Sequence, residues 1–288
     1  MKRFEKVRIA SILGIIGNLF LFVIKTLIGF ISNSSAMLAD AFNSGGDILS
    51  SVITFIGNKI ASKPSDDDHN LGHGKAEYIY SMIISIVMIV VSFNMLKTSI
   101  VSIFVSSKYN FSIWLIVVCL ITIFIKFLLY MYTSKIAKEQ NNLLIRANSN
   151  DHRNDCLITT LTLIASILSY KEIYYLDGII GTIISIWIII SYMKIFLESY
   201  DVLMDKSISN DTKDIVYEII NGHKEIKKIQ HFVSTPVGYK YQISFTIFVD
   251  GNMSTFESHE IADKLEKEIN SKVEDVYLTV IHVNPYEE

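Results

Sequence analysis

The sequence predicts an α-helical polytopic membrane protein with six transmembrane helices, followed by a small C-terminal α+β domain. Half of the 288 residues are hydrophobic and the mean hydropathy is +0.38, above the usual range of soluble proteins. Long apolar runs recur along the first two thirds of the chain, and charges become frequent only in the last third. We therefore expect a membrane domain over residues 1–205 and a soluble domain over residues 206–288.

Six apolar runs supply the predicted spans, because a helix needs about 20 residues to cross the hydrocarbon core. They cover approximately residues 9–30, 35–60, 77–104, 112–133, 154–170 and 176–198. The first run is too long for the apolar part of a signal peptide and lacks a convincing cleavage site, so it is expected to remain as a helix. Cys119 and Cys156 lie in or beside these runs, which excludes a disulfide framework and a cysteine-based metal site.

Positive charges in the loops predict the orientation of the spans. Lysine and arginine cluster before the first span, after the second and after the fourth, whereas the opposite loops hold only Lys108 and Lys171. By the positive-inside rule, the N-terminus, the 61–76 and 134–150 loops and everything after the sixth span are cytoplasmic. An even number of spans returns the C-terminus to the side of the N-terminus.

The C-terminal domain combines helical and extended patterns. Apolar residues recur at helical spacing in two segments, and alternating or apolar-rich runs indicate three strands. The predicted order is αββαβ, which is typical of a small α+β domain. In chain order, the elements cover residues 211–221, 229–233, 241–249, 255–270 and 276–283.

Two short polar segments interrupt the membrane domain at related places. Moving the first segment along the chain by 108 positions places Asn43 on Asp151 and Asp47 on Asp155. Related polar segments in two halves are typical of a transporter built from internal repeats, whose binding site lies where the halves meet. The match is short, so it suggests a duplication without proving one.

Each polar pair stands at positions i and i+4, which places its two side chains on one helix face, one turn apart. Two such faces would form a four-cornered cage of oxygen ligands from Asn43, Asp47, Asp151 and Asp155. A carboxylate inside the bilayer costs at least about 2.5 kcal/mol, so it is rare unless it serves an ion path or finds partners. The alternative is that these residues cap helix ends at the membrane interface, but the matched spacing favours the cage.

Other polar residues near the spans are expected to have structural roles. Asp40 and His152 lie one to three residues off the shared faces, which favours capping or packing. Lys25, Lys97 and Lys126 fall within spans, where they are expected to snorkel or to face the bundle interior. We assign these lysines no role in transport.

Together with four short motifs, these residues resemble the cation diffusion facilitator family over essentially the whole chain. The motifs are SAMLADA at 35–41, HGKAE at 73–77, YLD at 175–177 and LMD at 203–205. The resemblance implies a homodimer with six spans per subunit, a ferredoxin-like cytoplasmic domain and metal export coupled to proton entry. It also implies a charge pair between Lys75 and Asp205.

The ligand types of the cage predict its metal. Zinc-transporting members of the family usually have histidine where this chain has Asp151, and Zn²⁺ favours imidazole and thiolate ligands. One amide and three carboxylates suit harder ions such as Mn²⁺, and the same combination resembles the manganese-exporting branch. We expect Mn²⁺ as the main substrate, Zn²⁺ or Fe²⁺ as weaker ones, and no cofactor. Because three acids repel each other when metal is absent, a proton is expected to replace the ion.

Two further groups of residues fall where the family places metal. The first is Asp66, His69 and His73, for which an ordinary solvated acidic loop is the alternative. The second is His231, His259 and His282, where some members bind zinc at the dimer interface. Two other positions of that pattern are Ser244 and Asn284, which are weak ligands, so a single site or none is expected there.

Other functional classes fit the sequence less well. A membrane-embedded metalloenzyme is the competing class, but the chain has no HExxH motif, no nucleophile paired with a base and no phosphate-binding glycine loop. A third interpretation is a metal-sensing membrane protein whose soluble tail is the working part. We therefore expect a transporter rather than an enzyme, without a nucleic-acid partner. The richness in Ile, Lys and Asn with few Pro suggests an AT-rich bacterial genome, and we expect the protein in a bacterial plasma membrane.

Overall fold

The structure is a computed structural model that describes residues 2–31, 35–104, 113–169 and 175–286. Within these ranges the chain forms eight helices and three strands. They divide into two compact units, one of Met1–Ser62 with Ala76–Tyr200 and the other of Lys63–Lys75 with Asp201–Glu288. The second unit thus takes in the loop between the second and third helices as well as the C-terminal elements. The predicted boundary at residue 205 stays a prediction.

Long helices make up the first unit. They are α1 (Lys2–Ile31), α2 (Ser35–Ala61), α3 (Ala76–Phe104), α4 (Ile113–Gln140), α5 (Leu143–Ser169) and α6 (Tyr175–Leu203). By length and composition, α1, α3, α4 and α6 contain segments apolar enough to cross a membrane. The other two, α2 and α5, carry the polar pairs, so the count of six spans stays a prediction.

The bundle presents apolar side chains outward and polar side chains inward. Leu27, Phe124 and Ile183 are more than half exposed, whereas Ser81 and Thr54 are fully buried. This distribution is the reverse of that of a soluble helical protein, in which polar residues cover the surface. It is the distribution expected in lipid, where small and polar residues line the contacts between helices.

Helix α5 begins well before the apolar run that predicted it. The run starts near residue 154, whereas the helix starts at Leu143 and passes through the whole polar segment that holds Asp151. Leu144, Ile145 and Asn148 in this first part are fully buried. Contacts with other helices thus stabilise a polar segment whose composition alone indicates a loop. Asp151 consequently lies about two turns inside the helix.

The second unit contains the predicted αββαβ order. Its elements are α7 (Asn210–Asn221), β1 (Lys228–Val237), β2 (Lys240–Asp250), α8 (Thr255–Lys272) and β3 (Val276–Tyr286). The sheet order is β1-β2-β3, with β1 antiparallel and β3 parallel to β2. Apolar side chains of α7, α8 and the central strand, including Val216, Leu265 and Ile243, form one buried core. A capping box between Ser254 and Glu257 begins α8.

Candidate metal centre

Two of the predicted ligands lie on either side of one ammonium group inside the helix bundle. Nζ of Lys126, on α4, donates hydrogen bonds to Oδ2 of Asp47 on α2 at 2.7 Å and to Oδ2 of Asp155 on α5 at 2.5 Å. The lysine side chain is 1% exposed, and the two carboxylates are 11% and 12% exposed. Helices α2 and α5 therefore each bring one carboxylate to a common positive charge.

The third predicted carboxylate lies on the same seam between α2 and α5. Ser50 of α2 donates a hydrogen bond to Oδ2 of Asp151, and the hydroxyl of Tyr192 on α6 donates to Oδ1. Asp151 is buried, as are Ser50 and Tyr192. Because Ser50 follows Asp47 by one turn, Asp151 contacts α2 directly about one turn from Asp47, whereas Asp155 is joined to Asp47 through Lys126.

The fourth corner of the predicted cage is Asn43. Its backbone belongs to α2, one turn before Asp47, but its side chain lies outside the part of the chain that the structure describes. The side chain of Asp40 also lies outside the described part. Three of the four predicted transport ligands can therefore be placed, and the four-cornered cage itself stays a prediction.

Buried polar side chains contact the backbone of α2 at Asp47 and the neighbouring Ser51. The amide nitrogen of Asn18 donates to the backbone oxygen of Asp47 at 3.1 Å and to Oγ of Ser51 at 3.2 Å. The amide of Asn148 also donates to Ser51, at 3.2 Å. Within the described ranges, Oδ1 of Asn18, Oδ1 of Asn148 and both ring nitrogens of His152 are buried without a hydrogen-bond partner. These atoms offer acceptors for water beside the carboxylates.

Gly14 lets α1 approach this polar region closely. A Cβ atom at Gly14 would lie 3.0 Å from Oγ of Ser51 and 3.5 Å from Nε2 of His152. A side chain there would therefore press on groups that position α2 and α5. The buried position of His152 is compatible with the packing role predicted for it, and that role remains a prediction.

The loop residues Asp66, His69 and His73 form a compact group in the second unit. Their potential ligand atoms all lie within 4.8 Å of one another. Oδ1 of Asp66 accepts a hydrogen bond from the backbone N–H of His69 at 2.7 Å, and Oδ2 lies 3.5 Å from Nε2 of His73. The hydrogen bond from the His69 backbone lowers the pKa of Asp66 below its ordinary value. The loop thus holds an ionised carboxylate beside two imidazoles, a ligand set that suits a divalent metal.

The three histidines predicted for the C-terminal domain lie apart from such a group. His231 is on β1, His259 on α8 and His282 on β3, and all three are exposed. In the described part of a single chain, they do not form a set of three whose ring nitrogens all lie within 4.8 Å. The implied ion pair is present, since Nζ of Lys75 lies 2.6 Å from Oδ1 of Asp205.

Sequence reasoning did not predict the contacts that Lys126, Ser50 and Tyr192 make with the predicted ligands. It expected Lys126 to snorkel or to face the bundle interior, and the structure buries its side chain inside the bundle. The signal for Lys126 was visible, because a lysine in an apolar run needs a partner or an exit to water. Its partners lie on two other helices, and no spacing along the chain identifies them. Ser50 and Tyr192 are polar residues of ordinary kinds in helices, so nothing in the sequence distinguishes them from packing residues.

The chemistry available at this centre is that of cation binding. Three carboxylates and one ammonium lie inside the helix bundle, with hydroxyls that orient one of the acids. Carboxylate oxygens bind hard divalent cations, and buried charges of this kind mark ion paths in membrane proteins. The neighbouring unpaired amide oxygens could accept hydrogen bonds from the water that accompanies such an ion.

Comparison with known proteins identifies both parts of the chain. Residues 11–204 match a family described as the cation efflux transmembrane domain, and residues 208–286 match the cytoplasmic domain of cation efflux proteins. The chain is 29% identical to the manganese efflux system protein MneP of Bacillus subtilis (strain 168), over 97% of this chain and 96% of MneP. It is 27% identical to MneS, a manganese efflux system protein of the same organism, over the full length of both. The cation-efflux pump FieF of Shewanella oneidensis is 26% identical, over 97% of this chain and 94% of FieF.

Proposed function

The chain belongs to the cation efflux family and is a divalent cation efflux transporter, and within this class we propose that it exports Mn²⁺ in exchange for protons. Members of this family are transporters and not enzymes. The observation that carries the proposal is that Asp47 and Asp155 both pair with the buried ammonium of Lys126, with Asp151 between the same two helices. Metal would bind to these carboxylates and to Asn43.

The preference for Mn²⁺ is supported by the ligand types. Three carboxylates and one amide offer only oxygen atoms, which suit Mn²⁺ better than the nitrogen and sulfur ligands typical of zinc sites. MneP and MneS, both described as manganese efflux proteins, resemble this chain over nearly their whole length. Export of Zn²⁺ or Fe²⁺ is the alternative, because FieF, described only as a cation-efflux pump, resembles it to a similar degree.

Exchange with protons is supported by the number of acids at the centre. When the metal leaves, three carboxylates remain in a medium of low dielectric, and a single ammonium balances only one of them. Protonation of at least one carboxylate reduces the remaining charge, because like charges at short range disfavour ionisation. A proton taken up from outside would then replace the exported ion.

The loop charges and the family support a proposal for the membrane, the orientation and the oligomeric state of the protein. We propose a bacterial plasma membrane, with both termini in the cytoplasm, and a homodimer that associates through the C-terminal domain. Asp66, His69 and His73 are proposed as a peripheral metal site, supported by their mutual distances. His231, His259 and His282 are weaker candidates, since in the described part of one chain their ring nitrogens do not all lie within 4.8 Å of one another.

Metal flux into proteoliposomes tests the proposal. Purified protein would be reconstituted, and uptake of Mn²⁺, Fe²⁺ and Zn²⁺ would be followed with and without a pH gradient. We expect Mn²⁺ to move fastest and an outward proton gradient to accelerate it, with no flux in vesicles lacking the protein. Faster uptake of Zn²⁺ than of Mn²⁺ would reverse the metal assignment, and uptake that ignores the pH gradient would remove proton exchange.

A further inference from the structure

We infer that Lys126 is a tethered competitor of the transported metal. In the metal-free carrier its ammonium pairs with both Asp47 and Asp155 and balances one of their two charges, and it must be displaced when the ion binds. The inference rests on the proposed function, since it requires these two carboxylates to be metal ligands. It goes beyond that function because it assigns a role to a residue of α4, which contributes none of the proposed ligands. The observation behind it is that one nitrogen, Lys126 Nζ, lies within 2.7 Å of both acids.

The position of the ammonium excludes simultaneous binding of a divalent ion to the same two oxygens. Lys126 Nζ contacts Oδ2 of Asp47 and Oδ2 of Asp155 at hydrogen-bond distance. A metal bridging those oxygens would occupy the same space, and two positive centres so close in a buried site would repel strongly. The metal and the ammonium therefore compete for one position.

A displaced ammonium has an acceptor close at hand. Thr122 lies four residues before Lys126 on α4, on the same helix face and one turn away. Its hydroxyl is buried and, among the described residues, has no hydrogen-bond partner. Because side chains lean toward the N-terminal end of a helix, a small rotation of the lysine stem would bring Nζ toward Thr122 Oγ1. The lysine can thus leave the carboxylates without becoming an unpaired buried donor.

Competition of this kind shapes the transport cycle. After the metal has left, the binding site must reorient to the other side of the membrane without metal. Carboxylates whose charge is not balanced make that step costly. Lys126 supplies an internal positive charge for the return, whatever the metal concentration. The same charge weakens metal binding, because binding must first break two ion pairs. Lys126 therefore lowers the affinity for the metal and raises the rate at which the metal-free carrier returns.

Substitution of Lys126 by methionine separates these two effects. Lys126→Met retains the length and apolar stem of the side chain but removes the charge. At pH 8, where few protons compete, we expect Mn²⁺ to bind at least about tenfold more tightly than to the parent protein, as measured by electron paramagnetic resonance of free Mn²⁺. Net Mn²⁺ uptake into empty proteoliposomes should slow by about tenfold, because the return of the metal-free carrier loses its counter-charge.

Exchange of metal for metal provides the decisive comparison. Vesicles loaded with unlabelled Mn²⁺ would take up radioactive Mn²⁺ through a cycle in which the metal-free carrier never reorients. We expect Lys126→Met to retain exchange at nearly the parent rate while net uptake falls. A misfolded variant would lose both activities and could not bind metal more tightly. Lys126→Gln, which keeps a hydrogen-bond donor without a charge, should behave in the same way.

Two controls separate this inference from the proposed function. Lys97→Met removes an exposed lysine from α3 and should leave binding and net uptake unchanged. Asp47→Asn should weaken Mn²⁺ binding, since it removes a proposed ligand. If Asp47→Asn loses binding while both Lys126 variants bind Mn²⁺ no more tightly than the parent, the inference is wrong and the proposed function stands. If Asp47→Asn binds and transports Mn²⁺ like the parent, both are wrong.

Discussion

Asp151 is the side chain on which the proposed metal preference depends most. It is buried, and its two carboxylate oxygens accept hydrogen bonds from Ser50 and Tyr192, which hold its orientation between α2 and α6. A carboxylate at this place contributes charge and a hard oxygen, whereas an imidazole would contribute a softer neutral nitrogen. The choice between Mn²⁺ and Zn²⁺ is therefore expected to change with this one residue.

Asp151→His should shift selectivity toward Zn²⁺. We expect the ratio of Zn²⁺ to Mn²⁺ uptake in proteoliposomes to rise about tenfold, a change of about 1.4 kcal/mol between the two ions. Asp151→Asn is the matched control, because it loses the charge but keeps an oxygen ligand, and it should slow both ions without favouring Zn²⁺. An unchanged ratio in Asp151→His would contradict the idea that oxygen ligands select Mn²⁺.

Some individual residues of the site could be predicted from the sequence. The i, i+4 spacing identified Asp47 and Asp155 as members of matched pairs, and in the structure both pair with the ammonium of Lys126. That spacing reports only neighbours on one helix. Lys126 joins the pairs from a third helix, so its contact depends on how α4 packs against α2 and α5, which no local pattern specifies.

Helix ends are held together by a buried carboxylate on α3. Oε2 of Glu77 lies 2.8 Å from Nη2 of Arg3 near the start of α1, and Oε1 accepts a hydrogen bond from the backbone N–H of Leu143 at 2.8 Å. The Glu77 side chain is 2% exposed and that of Arg3 is 10% exposed. One carboxylate thus links the beginnings of three helices, including the helix that carries Asp151 and Asp155.

Glu77→Ala should destabilise the helix bundle. Removal of one partner leaves the Arg3 charge poorly compensated and the Leu143 N–H without its acceptor, which costs about 3 kcal/mol for a buried pair. We expect a clearly lower midpoint of thermal unfolding in detergent. Glu139→Ala is the control, because Glu139 pairs with Lys6 where both side chains are well exposed, and it should leave the midpoint nearly unchanged. Equal midpoints for Glu77→Ala and the parent would contradict the role of this contact.

The elements themselves were predicted unevenly, and the reason is physical. The strands and helices of the C-terminal domain agree with their patterns in type and order, because apolar residues recur on the face that each turns to the common core. The first strand, β1 (Lys228–Val237), is longer than the predicted segment 229–233. The start of α5 was missed because its first turns are polar and yet buried by neighbouring helices. In a bundle whose interior is polar, apolar composition marks the surface facing lipid rather than the extent of the helix.

The molecule as a whole combines two units. One is a helix bundle with apolar side chains outward and polar side chains inward, and the other is a small α+β unit. Its length, its two domain types and their order agree with the cation efflux family over almost the entire chain. Sequence motifs predicted this family, since several weak matches in the right order are specific together. Assembly into a homodimer depends on a second chain, and exchange with protons depends on the two sides of a membrane, so both stay predictions.

Flux of Mn²⁺ through reconstituted protein tests the central claim most directly, because only a transporter moves the ion across a sealed bilayer. Parent protein, Asp47→Asn and Asp155→Asn would be compared in vesicles of equal protein content, with Asp66→Asn as a control in the loop cluster. We predict rapid uptake by the parent, a loss of at least about a hundredfold in Asp47→Asn and Asp155→Asn, equal to about 2.7 kcal/mol, and substantial uptake by Asp66→Asn. Uptake by Asp47→Asn and Asp155→Asn at the parent rate would contradict the account.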